Sequence, residues 1–209
     1  MDKKTFCSQV RRGLSSDRLT AYSERNDEEL DTIARYLWNT ALCQSLYPTL
    51  QCFEVLLRNA IHDSVKRRYG DGWLESQLHL RPSEARSVTS ALNGLYRQGK
   101  ANSSTRTAAG RIIAELSFGF WSALFVRHYD RIIAIPVMKS GLNGVPNNLR
   151  NRENLFSTFD RIRHLRNRVF HHEPVHHWSD LPIRHLEIVN YIGYMNPAHR
   201  KIVDMQDTF

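Results

Sequence analysis

The sequence predicts an all-α protein that forms a single helical bundle of about six main helices. Apolar residues recur every three or four positions along the long segments, as they do in amphipathic helices. The alternation of apolar and polar residues that is typical of strands is nearly absent. With 41% apolar residues, 10 glycines and 7 prolines in 209 residues, the chain is neither disordered nor collagen-like. A chain of this length can bury a substantial core.

The net charge and the lengths of the apolar runs indicate which partners the protein binds and in which cell compartment it is found. The chain has 29 Lys and Arg against 21 Asp and Glu, a formal net charge of +8, which favours phosphate-rich partners such as RNA. No apolar run approaches the roughly 20 residues of a membrane span, and the opening MDKKTFCSQVRRG lacks the apolar stretch of a secretion signal. The three cysteines form no CxxC pair and cannot all pair with one another. These features predict a cytoplasmic protein with no membrane partner.

The first third of the chain is predicted to hold an N-terminal extension and two helices. Residues 1–25 combine a basic amphipathic piece with a polar stretch and are predicted to be an N-terminal extension, whereas residues 26–209 form the helical domain. Acidic residues suit the opening turn of a helix and predict a first helix over Asp27–Leu46. Proline is favoured at the first helical position, so a second helix is predicted over Pro48–Tyr69. Gly70 is expected to end it.

The middle of the chain predicts two further helices and an irregular segment. A third helix is predicted over Pro82–Gln98. Thr105 is expected to cap a fourth helix, RIIAELSFGFWSALFV, which is apolar on nearly every side and should therefore be buried. Residues 127–149 contain two prolines and two glycines and are predicted to be shorter and irregular.

Two more helices are predicted in the last third. The fifth is expected to start near Arg150 and to end before Pro174, because the residue that precedes a proline avoids the helical conformation. A sixth helix is predicted over Leu181–Met195, with Pro197 marking its end. No internal repeat or linker divides the chain.

Two charged residues fall on apolar helix faces. Arg166 lies four residues after Ile162 in the apolar stripe of the fifth helix, and Glu54 lies three residues before Leu57 in that of the second. A charge on a core-facing stripe is costly unless it is paired or reached by water. The two residues are therefore expected to meet or to share a polar pocket. The alternative is that Glu54 pairs with Arg58 at i,i+4 while Arg166 extends to the surface.

Four of the ten histidines fall in the segment HHEPVHH at the end of the fifth helix. On an unbroken helix Arg166 and His171 would be roughly 140° apart. Because Pro174 forces the helix to end, His171 on the last turn can turn back toward Arg166, with Asn167 four residues before it on the same side. A helix C-terminus favours an imidazolium, and histidine titrates near neutral pH, which suits proton transfer.

Three interpretations of this histidine cluster are open. His172 and His176 have the i,i+4 spacing of zinc ligands, but Pro174 breaks the helix between them and no cysteine or HExxH motif is nearby. Alternatively, the histidines cap a helix and line a polar loop. In the third interpretation, Arg166 and His171 form a catalytic pair that acts on a phosphodiester.

Three segments of the chain resemble a known family. The string Arg166-Asn167-Arg168-Val169-Phe170-His171 matches the R-polar-x-x-x-H motif of the HEPN superfamily of helical ribonucleases. The wider string LRNRVFHHEP resembles the C-terminal signature of its Abi-like, abortive-infection branch. Upstream, FEVLLRNAI followed by Gly72-Trp73 resembles the early helix of that family, and IIAELSFGFWSALF resembles its central buried helix. The matches occur in the expected order over roughly residues 28–178.

The resemblance implies a HEPN-type helical bundle, usually a homodimer, whose active members cleave RNA without a metal; we predict no cofactor. It places Arg166 and His171 in the catalytic positions and Asn167 in the polar second position. Members act in phage defence or as toxins, and some HEPN proteins are non-catalytic RNA binders. Any antitoxin would be a separate chain that this sequence does not identify.

Other residues are expected to support the motif. Glu54 is expected to orient Arg166, directly or within the same cleft through Arg58 or Asn59, without transferring protons. The pattern assigns no role to His176 or His177. An RNA track is expected along three arginines that flank the motif: Arg161, Arg163 and Arg168.

The chemistry of RNA cleavage gives its own reason to expect a homodimer. The 2′-hydroxyl must be deprotonated, the non-bridging oxygens stabilised and the 5′-oxygen protonated as it leaves. Arg166 suits the second task because its guanidinium can grip phosphate through two nitrogens. One His171 cannot conveniently stand on both sides of the phosphorus, whereas a dimer would bring two copies to one composite site. In a monomer, His172 or His176 would have to supply the second proton-transfer group.

The expected products are a 2′,3′-cyclic phosphate and a 5′-hydroxyl, and DNA, which lacks the 2′-hydroxyl, is not expected to be cut. The competing hypothesis is a non-catalytic module that binds RNA or protein, in which the arginine and histidine cluster only holds helices together.

Overall fold

The computed structural model describes residues 1–100 and 109–209, and this part of the chain is helical without a strand. The predicted all-α class is confirmed. No helix within these two ranges is long and apolar enough to cross a membrane. The helices are α1 (Lys3–Leu14), α2 (Ser16–Thr20), α3 (Glu29–Tyr69), α4 (Trp73–Ser76), α5 (Pro82–Arg97), α6 (Ala109–Glu115), α7 (Phe118–Ala123), α8 (Ile135–Ser140), α9 (Arg152–Phe170), α10 (Leu181–Met195) and α11 (Pro197–Gln206).

The prediction that Pro48 starts a second helix is wrong, because α3 runs for 41 residues with this proline inside it. Proline lacks the N–H that would bond to Gln44, and it costs roughly 3 kcal/mol inside a helix. The apolar stripe nevertheless continues in phase on both sides of it, and Leu46 and Leu50 are both buried. Burial of both halves of α3 in the same core offsets the local cost.

The predicted fourth helix is interrupted. Thr105, its expected cap, lies outside the described residues, and the remaining sequence forms α6 and α7. Ser117 adopts an extended conformation between them, and its hydroxyl accepts a hydrogen bond from the Phe120 N–H. A serine cap of this kind begins a new helix. Both pieces are buried as predicted, at Ile112 and Trp121 for example.

Other boundaries agree with the sequence in part. The third and sixth predicted helices are α5 and α10, the latter with the predicted bounds. Pro197 opens α11 in addition to following α10. The segment predicted to be irregular contains a 3₁₀ turn over Arg127–Tyr129, a π-helical turn over Asp130–Ala134, and α8. Six helices of the described part have ten residues or more, but they are not the predicted six.

Helices α3 and α9 pack in antiparallel order, and this packing positions the candidate site. The Phe53 ring of α3 lies 5.9 Å from the Phe159 ring of α9, which also meets the Phe125 ring at 5.0 Å. Nearer the N-terminus of α3, Tyr47 meets Phe170 at the end of α9. The end of α9 therefore lies beside the middle of α3.

The N-terminal 25 residues form α1 and α2, which lie against α3. Their buried residues include Cys7 and Leu19. Tyr22, just after α2, is also buried and its hydroxyl donates to the carbonyl of His172 at 3.2 Å. These two helices thus border the segment that follows α9.

Candidate functional site

An ion pair joins the two charges that the sequence placed on apolar faces. The Nε of Arg166 on α9 donates to Oε2 of Glu54 on α3 at 2.9 Å. The side chains are 25% and 14% exposed, so the pair is largely shielded from water. The predicted contact is confirmed, and the alternative pair of Glu54 with Arg58 is not formed in the described structure. The Nε of Arg58 is buried without a hydrogen-bonding partner among the described residues.

A stacked ring holds Arg166 from a second direction. The guanidinium carbon lies 4.1 Å from the centroid of the Phe170 ring, a cation–π contact. The Phe170 ring in turn stacks on Tyr47, with centroids 4.9 Å apart and planes 22° apart. Only the Nε of Arg166 makes a hydrogen bond within the described residues. Its two terminal nitrogens therefore remain available for an anion.

His171 caps the end of α9 and its side chain is exposed. Its backbone N–H donates to the carbonyl of Asn167 at 2.9 Å. No hydrogen bond, ion pair or ring contact joins the side chains of His171 and Arg166 in the part of the chain that the structure describes. The contact that was expected between His171 and Arg166 is therefore absent from the described structure of this single chain, in which Arg166 pairs with Glu54.

The segment after α9 is anchored by Asn39, a residue that sequence analysis missed. Its Oδ1 accepts from the backbone N–H groups of Val175 at 2.7 Å and His176 at 3.1 Å. Its Nδ2 donates to the Glu173 carbonyl at 3.4 Å and to the Tyr22 hydroxyl at 3.2 Å. Asn39 is only 3% exposed. It lies seven residues before Leu46 on the core face of α3, and an uncharged amide on this apolar face is the signal in the sequence that marks it.

The other histidines of the cluster have separate surroundings. His172 is exposed and adopts a left-handed backbone conformation, with φ at 57°. His176 stacks on Tyr22 with ring centroids 5.5 Å apart, and its Nδ1 is buried without a partner among the described residues. Burial is the main cause that lowers the pKa of His176, and the nearby His177 lowers this pKa further. No group of three or more histidine, cysteine or acidic side chains is arranged to hold a metal ion within residues 1–100 and 109–209.

The three arginines predicted to form an RNA track are divided between two sides of α9. Arg161 and Arg168 are seven residues apart and share a face; Arg161 pairs with Glu187 of α10 at 2.7 Å. Arg168 donates to the Pro174 carbonyl and lies 3.4 Å from Glu173.

Arg163 is on another side of α9, three residues before Arg166, and pairs with Asp160 at 2.7 Å. Each of the three arginines thus has a carboxylate partner. Asn59, one of the expected supporting residues, is exposed on α3.

A scan against protein-family models, a search of curated proteins and a search of solved structures find no match to this chain. The HEPN and Abi-like assignment therefore stays a prediction that rests on the motif residues.

Proposed function

We propose that this protein is a metal-independent, HEPN-type endoribonuclease of the Abi-like branch, which acts in phage defence by abortive infection or as a toxin. One observation carries the proposal. Arg166 of the R-N-x-x-x-H motif is fixed by Glu54 and Phe170 while its terminal nitrogens stay open. A surface arginine with no such support would point to a solvated helix face instead.

In the proposed reaction, Arg166 binds the scissile phosphate. The planar guanidinium stays charged and can donate two parallel hydrogen bonds to the non-bridging oxygens. The negative charge on those oxygens grows as the 2′-oxygen attacks phosphorus, so a preorganised cation stabilises the transition state more than the ground state. Glu54 keeps the guanidinium in one orientation and does not transfer protons.

His171 carries the proton transfer. A histidine on one side removes the proton from the 2′-hydroxyl, whose oxygen then forms a bond to phosphorus. The bond between phosphorus and the 5′-oxygen breaks, and a protonated histidine on the other side supplies the proton that the leaving oxygen needs. The products are a 2′,3′-cyclic phosphate and a 5′-hydroxyl. The exposure of His171 suits a group that must reach a phosphodiester from outside the bundle.

We further propose that the active form is a homodimer with the two α9 helices near the twofold axis. Since every residue is doubled in a symmetric assembly, a motif near the axis supplies two His171 and two Arg166 to one cleft. The absence of a contact between His171 and Arg166 within the described chain is consistent with a site that two chains complete. Asn167 provides the polar second position of the motif.

A second candidate function is a non-catalytic module that binds RNA or protein. The observation that favours it is the ion pair itself, because the contact between Glu54 and Arg166 also joins α3 to α9 and needs no catalytic role to account for it.

The decisive test incubates purified protein with single-stranded RNA in the presence of EDTA. We expect cleavage by the wild type and its loss in the His171→Ala variant. His164→Ala is the matched control, because His164 is an exposed histidine on the same helix, outside the motif. Circular dichroism establishes that both variants keep their helical content. Equal cleavage by His171→Ala and the control, or cleavage that EDTA abolishes and zinc restores, would contradict the proposal.

A further inference from the structure

A groove with a volume of about 730 Å³ is lined at one end by Phe170, the residue whose ring the guanidinium of Arg166 contacts. It runs between the N-terminal helices α1 and α2 and the first half of α3, and it ends at the C-terminus of α9. Its size falls within the roughly 300–1,000 Å³ of sites that hold small molecules. Four of the residues that line it are aromatic: Tyr22, Tyr36, Tyr47 and Phe170.

The groove and the arginine of the motif share one ring. Phe170 lines the groove while the guanidinium of Arg166 lies 4.1 Å from its centroid. Tyr47 stacks on the same ring and is 46% exposed. A phosphate held by Arg166 would therefore lie near the end of the groove that Phe170 forms.

The polar residues of the groove suit an anionic ligand that also carries hydrogen-bonding edges. Arg18 and His172 line it, and none of the described lining residues is acidic. Gln44 also lines it, and its side-chain amide has no hydrogen-bonding partner in the described part of the chain. An amide offers both a donor and an acceptor, as the edge of a nucleobase requires. A purely apolar ligand would leave these groups unused.

We infer that this groove is a base-binding subsite, which holds one or two unstacked bases of single-stranded RNA beside the phosphate bound at Arg166. The inference rests on the proposed function, because it takes the phosphate at Arg166 as its starting point. The ring of Tyr47 is exposed and that of Tyr36 partly so, and bases stack on such rings without requiring a particular sequence. Arg18 adds charge for the adjoining backbone. The subsite makes single-stranded RNA, rather than a duplex with stacked bases, the preferred substrate.

Gly13 allows the groove to be filled without removing any existing contact. It lies near the end of α1 and lines the groove, and a Cβ added there would meet no atom within 4 Å. The variant Gly13→Leu is therefore expected to fold and to obstruct the groove. Gly94→Leu is the matched control, since Gly94 also lies inside a helix, α5, with no atom within 4 Å of an added Cβ.

The experiment measures binding and cleavage separately. Binding is measured by fluorescence anisotropy with a short 2′-O-methyl oligoadenylate, which cannot be cut by attack of a 2′-hydroxyl. We expect Gly13→Leu to raise the Kd by roughly 5- to 150-fold, the effect of losing one stacked base, and Gly94→Leu to leave it unchanged. An oligomer of equal length without bases should bind the wild type more weakly and be insensitive to Gly13→Leu.

The outcomes distinguish this inference from the proposed function. RNA cleavage by the wild type together with equal oligoadenylate affinity of both glycine variants would overturn the base subsite alone. Oligoadenylate binding that Gly13→Leu weakens, without cleavage by the wild type, would support the subsite and overturn the nuclease. A change in oligomeric state on Gly13→Leu, with unchanged RNA affinity, would identify the groove as an interface between copies and overturn the inference. Should Gly13→Leu fail to fold, Tyr47→Leu replaces it, and Tyr47→Phe, which keeps the ring, is the control. We then expect Tyr47→Leu to raise the Kd for the oligoadenylate and Tyr47→Phe to leave it unchanged.

Discussion

At the scale of single residues, the ion pair between Arg166 and Glu54 is expected to have two effects: it stabilises the fold, and it orients the guanidinium. Removing Glu54 leaves a shielded guanidinium without its partner, which costs about 1–3 kcal/mol. We predict that Glu54→Ala lowers the free energy of unfolding in urea by that amount and also reduces RNA cleavage. Asp204→Ala is the control, because its pair with Arg200 is more exposed and worth less than about 1 kcal/mol. An equal loss of unfolding free energy in the two variants would show that the shielded pair stabilises the fold no more than an exposed pair does.

A second prediction concerns the buried hydrogen bonds around Glu84. Its carboxylate accepts from Tyr129 at 2.7 Å and from Arg81 at 2.9 Å, and the Tyr129 oxygen itself accepts from the Arg81 N–H. Burial alone would raise the pKa of Glu84, but hydrogen bonds from Arg81, Tyr129 and Ser83 outweigh it and lower the pKa to about 2. Because the folded pKa is depressed, this stabilisation is present above the ordinary value of 4.5 and is lost as pH falls toward 2.

Tyr129→Phe removes the hydroxyl, so that the backbone N–H of Arg81 loses its acceptor and Glu84 loses one of its donors. We predict a free energy of unfolding lower by about 1–3 kcal/mol at neutral pH. The variant should also lose less stability on acidification, since Tyr129 is one of the groups that depress the pKa of Glu84. Urea unfolding at several pH values between 2 and 6 measures both effects. If the unfolding free energies of the wild type and the variant changed with pH in parallel, Tyr129 would not be one of the groups that lower the pKa of Glu84.

The sequence predicted part of the site at this scale and missed part of it. The contact between Glu54 and Arg166 was predictable because an isolated charge on an apolar stripe requires a partner. Asn39 escaped because an uncharged amide on a stripe is far less costly to bury, and its partners are backbone groups of residues 173–176 that no side-chain pattern reveals. The orientation of His171 depends on where α9 ends, which the spacing of residues does not determine.

At the scale of elements, the sequence predicted which segments are helical better than where they break. Pro48 and Ser117 show why. A proline is a local signal that here yields to burial on both sides of it in α3. A serine inside an apolar run is a weak signal that nevertheless starts α7. Whether a local break is tolerated depends on tertiary packing, which is not visible along one helix.

Asn39 connects α3 to the segment that follows α9, and it yields a prediction at this scale. Asn39→Ala removes the acceptor for the Val175 and His176 N–H groups, so we expect both amides to exchange with deuterium at least about fivefold faster, since losing one such buried bond costs about 1–3 kcal/mol. RNA cleavage should fall because His171 lies at the start of the released segment. Asn93→Ala, an exposed asparagine of α5, is the control. Unchanged exchange at both amides would mean that Asn39 does not hold the segment.

At the scale of the whole molecule, the proposed homodimer predicts how activity depends on concentration and on mixing. Activity per protomer should fall on dilution through the dimer dissociation constant. Wild type and His171→Ala are mixed in equal amounts and allowed to exchange subunits. If each cleft needs two histidines, the mixture should have about one quarter of the activity of the same total amount of wild type, whereas independent sites would leave about half. Light scattering measures the mass in parallel. A monomer that cleaves RNA at the full rate would contradict the shared site.

In the proposed reaction, the 2′-hydroxyl of the RNA attacks the neighbouring phosphate with the help of Arg166 and His171. The most direct measurement uses one RNA oligomer in EDTA and the same oligomer with a single 2′-deoxy sugar at the main cleavage position, with the product ends identified by mass spectrometry. We predict a 2′,3′-cyclic phosphate and a 5′-hydroxyl from the first oligomer and no cut at the 2′-deoxy position of the second. We also predict that Arg166→Ala lowers the rate by roughly 100-fold or more. Cleavage at the 2′-deoxy position, or undiminished cleavage by Arg166→Ala, would contradict the proposed reaction.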